Sequence, residues 1–213
     1  MNYNINDILP YVENYDFGEY FTTKEEDFLV SSVPCDDELS FDWEDGASKL
    51  VIIPEGKDYV IKIPFNGGYD EDNKEYYDFS YNYCETEIKL YDKIFKENPL
   101  FIQFFLPLTR VEEFRKWDVY IQPKCQAYNN TDERIRSKSY SKESLTKAEK
   151  VVEDILLPTD WVAAVAEVLQ DISLVTEFIN ILSKYDIMDD LHKGNIGYCN
   201  GKPIILDYAN FYD

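Results

Sequence analysis

The stretch DDLHKGNIGYCNGKPIILDYANFYD, residues 189–213, carries the most informative pattern in the sequence. An Asn-Gly dipeptide stands between the apolar runs NIGYC and KPIILDYA, and such a dipeptide is a strong local signal for a β-hairpin. Asp190 and Asn195 precede this hairpin, and Asp207 follows its second strand. Magnesium in proteins prefers oxygen ligands such as carboxylates, together with substrate phosphates. The stretch therefore predicts a loop and a hairpin that present acidic and amide groups to metal-bound phosphates.

A helical pattern precedes this stretch. From Asp160, the segment WVAAVAEVLQDISLVTEFINILSKYD repeats apolar residues at helical spacing, which predicts one long amphipathic helix. Asp160 follows Pro158 and is a suitable N-cap residue for that helix. The carboxylate loop is therefore expected directly after a long helix packed in the core.

The first half of the chain contains a predicted hairpin and a helix with unusual charges. KLVII and DYVIKI flank the turn sequence PEGK, and Lys62 lies inside the second of these apolar strands. The helix pattern CETEIKLYDKIFKEN ends before Pro99, and Glu87 falls on its apolar stripe while Glu85 lies at the side. A buried lysine is costly unless an acid neutralises it, and Glu87 is the first acid placed to do so.

The bulk composition excludes several classes of protein. The net charge of −21 argues against direct binding of nucleic acid, because phosphate contacts need Lys and Arg. No apolar run reaches 18 residues and the N-terminus lacks a signal-peptide pattern, so we expect no membrane segment and a cytoplasmic location. The four cysteines form no CxxC pair, and a single histidine makes a zinc site improbable. We expect all four cysteines to be reduced core residues.

Strand lysine, helix glutamate, Asp-x4-Asn loop and hairpin aspartate together supply the groups that phosphoryl transfer requires. On these residues the sequence resembles the protein-kinase-like superfamily, which includes protein kinases and aminoglycoside-type small-molecule kinases. YVIKI resembles the strand lysine motif, and Asp207-Tyr208-Ala209 resembles the Asp-Phe-Gly motif. The run Asp-Leu-His-Lys-Gly-Asn at 190–195 resembles the catalytic loop, in the form found in small-molecule and atypical kinases.

The resemblance implies ATP and Mg²⁺ as cofactors and a phosphotransferase activity on a hydroxyl of a small molecule or protein. It implies Asp190 as the catalytic base, Asn195 and Asp207 as metal ligands, and Lys62 on the nucleotide phosphates, tethered by Glu87 or, as the second choice, Glu85. It also implies nucleotide contacts from the loop EDGASKL, which would cover the phosphates and is called the cover loop, and from the segment near residue 123 that would connect the two lobes. These contact residues would be Gly46, Ser48, Pro123, Lys124 and Cys125.

The expected fold is α+β, with two lobes arranged as in a protein kinase. We expect an acidic N-terminal extension at 1–45, a β-rich N-lobe at 46–125, and a reduced helical C-lobe with the catalytic-loop hairpin at 126–213. The sequence ends six residues after Asp207, so we expect neither an activation segment nor a peptide-binding subdomain.

Two alternatives remain open. The first is a pseudokinase-type acidic binding protein, typical of a phage or mobile element, that engages or inhibits a basic host partner. The cover loop EDGASKL has one glycine preceded by two acids, and residues 1–45 hold thirteen acidic residues and one lysine, both of which favour this alternative. The second is an unrelated acidic α+β protein in which the motif match arises by chance.

Overall fold

The structure is a computed structural model, and it confirms the α+β class. The chain divides into two compact units, one formed by residues 1–86 and 108–124 and the other by residues 87–107 and 125–213. The structure describes residues 3–12, 41–45, 48–65, 67–70, 75–78, 81–114, 118–132, 136, 140, 145–146, 148–150 and 157–209.

A five-stranded antiparallel sheet forms the first unit, with the strand order β1-β2-β3-β7-β6. The predicted hairpin is confirmed as β2 and β3, joined by a turn in which Gly56 has a φ of 71°. A short hairpin, β4–β5, follows β3. The strands are β1 Phe41–Asp45, β2 Lys49–Pro54, β3 Tyr59–Pro64, β4 Gly67–Asp70, β5 Glu75–Asp78, β6 Thr109–Arg110 and β7 Tyr120–Pro123.

One face of the five-stranded sheet forms the apolar core of the first unit. Helix α1, Ile5–Val12, lies within the predicted N-terminal extension and contributes buried side chains to this core, together with strands β2, β3 and β7. Since side chains alternate along a strand, the odd–even register of the sheet separates this core from the opposite face. The buried core residues are Ile8, Tyr11, Val12, Leu50, Ile52, Tyr59, Ile61, Ile63, Val111, Val119 and Ile121.

Helix α2, Tyr83–Glu97, confirms the predicted helix in this region. Asn82 lies just before its first turn and accepts a hydrogen bond from the backbone N–H of Glu85 at 3.2 Å. The helix ends immediately before Asn98 and Pro99, because proline disfavours a helical conformation in the residue that precedes it. The first turn belongs to the first unit, and the helix from Glu87 onward belongs to the second.

The predicted long helix is two helices, α3 Thr159–Leu169 and α4 Ile172–Lys184. The prediction of one helix is wrong because Gln170 adopts a left-handed conformation, with a φ of 57°, and Asp171 caps a new helix. The Asp171 carboxylate accepts a hydrogen bond from the backbone N–H of Ser173 at 2.8 Å. The N-cap of α3 is Pro158 rather than the predicted Asp160, which lies in the first turn.

The sequence predicts a strand over FIQFFLPLTRVEEF, of which Thr109–Arg110 forms β6. The run FIQFF instead forms a 3₁₀ turn at Ile102–Phe104. Its phenylalanines pack around Phe178 of α4, with centroid distances of 5.7 Å to Phe101 and 4.9 Å to Phe104. The strand prediction is wrong for FIQFF because these rings face one helix in the core of the second unit rather than alternating across a sheet.

A three-stranded antiparallel sheet, in the order β10-β9-β8, completes the described part of the second unit. The predicted Asn-Gly hairpin is confirmed: Asn200 and Gly201 have φ values of 52° and 76°, the pair of positive values that a type I′ turn requires. The strands are β8 Gln126–Ala127, β9 Ile196–Cys199 and β10 Lys202–Ile205.

Cys125 and Cys199 form a disulfide, with their Cα atoms 4.8 Å apart. The pairing of Gln126 with Tyr198 across β8 and β9 brings these cysteines opposite each other. The expectation of four reduced cysteines is therefore wrong for this pair, because strand pairing over 74 residues leaves no local spacing signal. Cys84 is a buried free thiol, and Cys35 lies outside the described residues.

Within the described ranges, no helix has both the length and the apolar character needed to cross a bilayer.

Candidate functional site

The carboxylate segment, defined here as residues 190–207, begins where the chain leaves helix α4. Asp186 takes a left-handed conformation, with a φ of 56°, and a 3₁₀ turn at Met188–Asp190 follows. Short polar residues such as Asp tolerate this conformation and turn the chain sharply after a helix. Asp190 therefore lies at the end of a turn and is half-buried.

Asn195 connects the two predicted acidic positions of this segment. Its side-chain Nδ2 donates hydrogen bonds to the backbone oxygen of Asp190 at 2.8 Å and to Oδ2 of the Asp190 carboxylate at 3.2 Å. Its backbone oxygen accepts hydrogen bonds from the N–H groups of Leu206 at 2.7 Å and Asp207 at 3.4 Å. Because Nδ2 donates both bonds, the amide Oδ1 is the atom of Asn195 suited to bind a cation.

His192 and Gly194 shape the loop in a way that the sequence did not reveal. The backbone N–H of Gly194 donates a hydrogen bond to Nδ1 of His192 at 2.9 Å. A Cβ at position 194 would lie 2.8 Å from Cε1 of this imidazole, so a larger residue there would displace the exposed His192 ring. The next residue along this turn, Asn195, donates its backbone N–H to the His192 carbonyl at 2.9 Å.

Tyr208 anchors the chain beside Asp207 in the core of the second unit. The Tyr208 hydroxyl donates a hydrogen bond to the carbonyl of Leu106 at 2.9 Å, and its ring packs edge-on against Phe105 at 5.3 Å. Burial raises the pKa of Tyr208 well above its usual range, and the nearby carboxylates of Glu87 and Asp207 add to the shift. Glu87 and Asp207 therefore both act electrostatically on one buried tyrosine. The Oδ1 atom of Asp207 is itself buried.

The two candidate glutamates on α2 differ in their surroundings. Glu87 is fully buried, as its position on the apolar stripe predicted. Glu85 is half-buried and accepts a hydrogen bond from the Tyr120 hydroxyl at 2.7 Å, with Arg110 at 3.4 Å. Burial and this hydrogen bond raise the pKa of Tyr120. Glu85 thus binds side chains of β6 and β7, which leaves Glu87 as the stronger candidate for a functional glutamate.

Lys62 is buried on β3, at 4% exposure, as the apolar strand around it predicted. Strand pairing places Val51 and Tyr120 opposite Lys62, and Lys49 lies two residues from Val51 on the same face of the sheet. Lys49 is also buried, at 3% exposure. We call this side of the sheet the lysine face; its buried polar residues are Lys49, Lys62, Tyr120 and Gln122.

The predicted nucleotide-contacting residues fall in different places. Gly46 lies outside the described residues. Ser48 is buried, and its carbonyl accepts a hydrogen bond from the N–H of Phe65 at 2.8 Å.

Pro123, Lys124 and Cys125, which were predicted to contact the nucleotide where the chain passes between the lobes, are divided between the two units. Pro123 ends β7, and the exposed Lys124 donates its backbone N–H to Asp58 at 2.7 Å, both within the first unit. Cys125 belongs to the second unit, and its thiol is consumed by the disulfide.

The structure brings three of the predicted residues together within the second unit, since Asp190 and Asp207 both bond to Asn195. The predicted pairing of Lys62 with Glu87 joins residues of different units and stays a prediction.

Among the described residues, no group of three or more His, Cys, Asp or Glu side chains is arranged to hold a metal ion by itself. Magnesium seldom uses such a cage, because it keeps several waters and binds through one or two carboxylates together with substrate phosphates. One carboxylate, on Asp207, and one amide oxygen, on Asn195, fit that smaller ligand set.

A scan against protein-family models finds no family that matches this chain, and a search of curated proteins finds no match.

Proposed function

We propose that the protein is a kinase-like phosphotransferase that binds ATP with magnesium and phosphorylates a hydroxyl group of a small molecule or protein. One observation carries the proposal: Asn195 hydrogen-bonds to Asp190 on one side and to the backbone of Asp207 on the other. The hydrogen bonds of Asn195, itself one proposed metal ligand, thus connect the proposed base Asp190 with the second proposed metal ligand Asp207.

In the proposed reaction, the Asp190 carboxylate accepts the proton of the acceptor hydroxyl while that oxygen attacks the γ-phosphorus. The bond between the γ-phosphorus and the bridging oxygen breaks, and ADP leaves. The hydrogen bond from Asn195 Nδ2 to Oδ2 orients the carboxylate, which reduces the entropy lost on reaching the reactive geometry.

Asn195 and Asp207 would hold the magnesium ion. When bound, this ion neutralises the charge that develops on the phosphate oxygens. The Leu106 carbonyl accepts a hydrogen bond from the Tyr208 hydroxyl. This bond fixes the backbone next to Asp207 and so helps to hold the Asp207 carboxylate in place.

The order of elements along the first half of the chain supports the proposal. In protein kinases the phosphate-binding lysine lies on the third strand, and the glutamate that pairs with it lies on a following helix. Here Lys62 lies on the third strand of the chain and Glu87 lies on helix α2, which follows the β4–β5 hairpin. Both side chains are buried, which is unusual for charged residues without a functional or structural role.

The test is a calorimetric titration of ATP, with and without magnesium, into the wild type, Asp207→Ala and Asp189→Ala. Asp189 is an exposed aspartate beside Asp190 and serves as the matched control. We expect magnesium to strengthen ATP binding in the wild type and in Asp189→Ala but to have no effect in Asp207→Ala. Equal magnesium dependence in all three proteins would contradict the proposal. A cytoplasmic location, where ATP and magnesium are available, belongs to the same proposal.

The charge distribution favours a second candidate function, a binding protein that engages a basic partner. Residues 1–45 contain thirteen acidic residues against one lysine. Such a segment attracts a basic surface in a salt-dependent way. This function would be supported if the protein bound no ATP yet formed a complex with a basic protein that weakened when Asp36, Asp37 and Glu38 were changed to amides. Robust ATP-dependent phosphotransfer with no such complex would exclude it.

A further inference from the structure

We propose that the Cys125–Cys199 disulfide is a redox-sensitive bond that regulates the loop at 190–195 through strand β8 and Tyr128. The oxidised protein is the form in which this loop is held in place, and a dithiol is the reductant that releases it. The inference deepens the proposed function by adding regulation, and it rests on that function for the cytoplasmic location and for the role of the loop.

The bond lies where a reductant can reach it. Cys125 and Cys199 are only half-buried, which gives a small thiol access to the sulfur atoms. In a reducing cytoplasm, disulfides are usually transient and serve as catalytic or redox-sensing bonds rather than as permanent links. A partly exposed disulfide in a protein that uses ATP in this compartment is therefore suited to respond to the redox state.

Strand β8 is short and has little apolar surface to hold it against its neighbour. It pairs with β9 through Gln126, which is exposed, and Ala127, which is half-buried. A Cβ at Gly197 of β9 would lie 2.0 Å from the Gln126 carbonyl oxygen, so the two backbones touch with no side chain between them. Because so short a strand is marginal by itself, the disulfide directly before it helps to keep β8 in register.

Strand β9, in contrast, is held without the disulfide. It pairs with β10 along its whole length, from Ile196 to Cys199. The indole N–H of Trp161 also donates a hydrogen bond to the Gly197 carbonyl at 3.1 Å, which attaches β9 to helix α3. Reduction should therefore leave the β9–β10 hairpin in place and loosen β8.

Tyr128 connects β8 to the loop. It directly follows this strand, and the centroid of its ring lies 5.9 Å from Nζ of Lys193, within the range of a cation–π interaction. Its hydroxyl donates a hydrogen bond to Asp160 at 2.8 Å. Lys193 stands between Asp190 and Asn195 in the loop. A shift of Tyr128 with β8 therefore weakens a contact of the loop that carries the proposed base.

The redox step is a thiol–disulfide exchange. A thiolate of the dithiol attacks one sulfur of the bond, the S–S bond breaks, and a mixed disulfide forms. The second thiol of the reagent then displaces the cysteine from this mixed disulfide. Both cysteines end as thiols, the dithiol ends as its own disulfide, and two electrons and two protons pass to the protein.

The experiment is hydrogen–deuterium exchange, read by mass spectrometry on peptides that cover 126–131 and 190–195, before and after treatment with dithiothreitol. A count of free thiols verifies the reduction, and thermal unfolding verifies that each protein is folded. Cys84→Ala is the control, because it removes a thiol outside the disulfide. The other variants are Lys193→Met, Cys125→Ser and, if the latter does not fold, Cys199→Ser.

We expect reduction of the wild type and of Cys84→Ala to speed exchange at 126–131 by about 10- to 100-fold, and at 190–195 by a smaller factor. Cys125→Ser should exchange as the reduced wild type does and should not respond to the reagent. In Lys193→Met, reduction should speed exchange at 126–131 only. Magnesium-dependent ADP release by the wild type should fall by about 3- to 10-fold on reduction, because the base is less well positioned.

Unchanged exchange at 190–195 after two new thiols appear overturns the inference and leaves the proposed function intact. A bond that dithiothreitol cannot reduce in the folded protein overturns it equally. A loop response that persists in Lys193→Met overturns the transmission through Tyr128. Faster exchange at both segments, in a protein that binds no ATP, supports redox control of the loop and overturns the proposed function.

Discussion

The carboxylate segment brings half-buried polar groups together and the lysine face brings buried ones together, but the two are built differently. In the carboxylate segment, Asn195 is bonded to residues on both sides of it along the chain. In the lysine face, Lys49 and Lys62 are brought to one side of the sheet by strand pairing. The segment therefore owes its geometry to local hydrogen bonds, whereas the face owes its geometry to the register of the whole sheet.

The largest effect is expected from removing Asp190, the proposed base in the carboxylate segment. Asp190→Asn should lower magnesium-dependent ADP release from ATP by about 10²- to 10⁴-fold, because an amide cannot accept the proton of the attacking hydroxyl. ATP affinity and thermal stability should stay near wild type. Steady-state kinetics measure the change, with Asp189→Asn as the control. A loss of similar size in the control would point to a general charge effect instead.

A large loss of stability is expected where the second unit supports the carboxylate segment. Phe178→Ala should lower the free energy of unfolding by about 3–5 kcal/mol, because three phenylalanine rings pack around the removed side chain. Urea unfolding measures this difference. Phe95→Ala, at an exposed site on α2, should change stability by less than about 0.5 kcal/mol. If both variants were equally stable, the aromatic core would not support this unit.

The disulfide that joins the carboxylate segment to Cys125 should have an intermediate effect. Reduction of Cys125–Cys199 should lower the free energy of unfolding by about 2–4 kcal/mol, since the bond closes a long loop and restricts the unfolded chain. Thermal unfolding with and without reductant checks this in the wild type and in Cys125→Ser. Reductant should have no further effect on the variant, and a wild type that is insensitive to reductant would show that the bond does not form.

These elements also mark what the sequence could predict. The Asn-Gly turn, the Asp190–Asn195 spacing and helix α2 depend on contacts between neighbours in the chain, and the structure contains the hairpin, the loop and the helix. The burial of Lys49, the disulfide and the FIQFF turn were not predicted, because each depends on a partner far away in the sequence. The break at Gln170 was missed for a different reason: the apolar repeat continues through it, and only the left-handed conformation of Gln170 ends the first helix before Asp171 caps the second.

The smallest effect is expected on the lysine face. Tyr120 donates its hydroxyl to Glu85 and accepts a hydrogen bond from Asn82 at 3.0 Å, so Tyr120→Phe should lower the free energy of unfolding by about 1–2 kcal/mol at pH 8. Burial, followed by the hydrogen bond to Glu85, raises the pKa of Tyr120 in the folded state. Tyrosine in the unfolded chain titrates near pH 10, so this stabilisation is complete below about pH 10 and is lost as the pH rises further.

The stability difference between the wild type and Tyr120→Phe should therefore narrow above about pH 10. Urea unfolding at pH 8 and pH 10.5 measures it, with Tyr81→Phe at an exposed position as the control. A difference that stays constant between these two pH values would mean that the Tyr120 hydroxyl titrates alike in the folded and unfolded chains.

The most direct test of the central claim is a crystal structure with a non-hydrolysable ATP analogue and magnesium. The account predicts a magnesium ion at about 2.0–2.1 Å from Oδ1 of Asn195 and from a carboxylate oxygen of Asp207, bridged to the nucleotide phosphates. A magnesium–nucleotide complex bound at other residues, or none at saturating nucleotide, would contradict it.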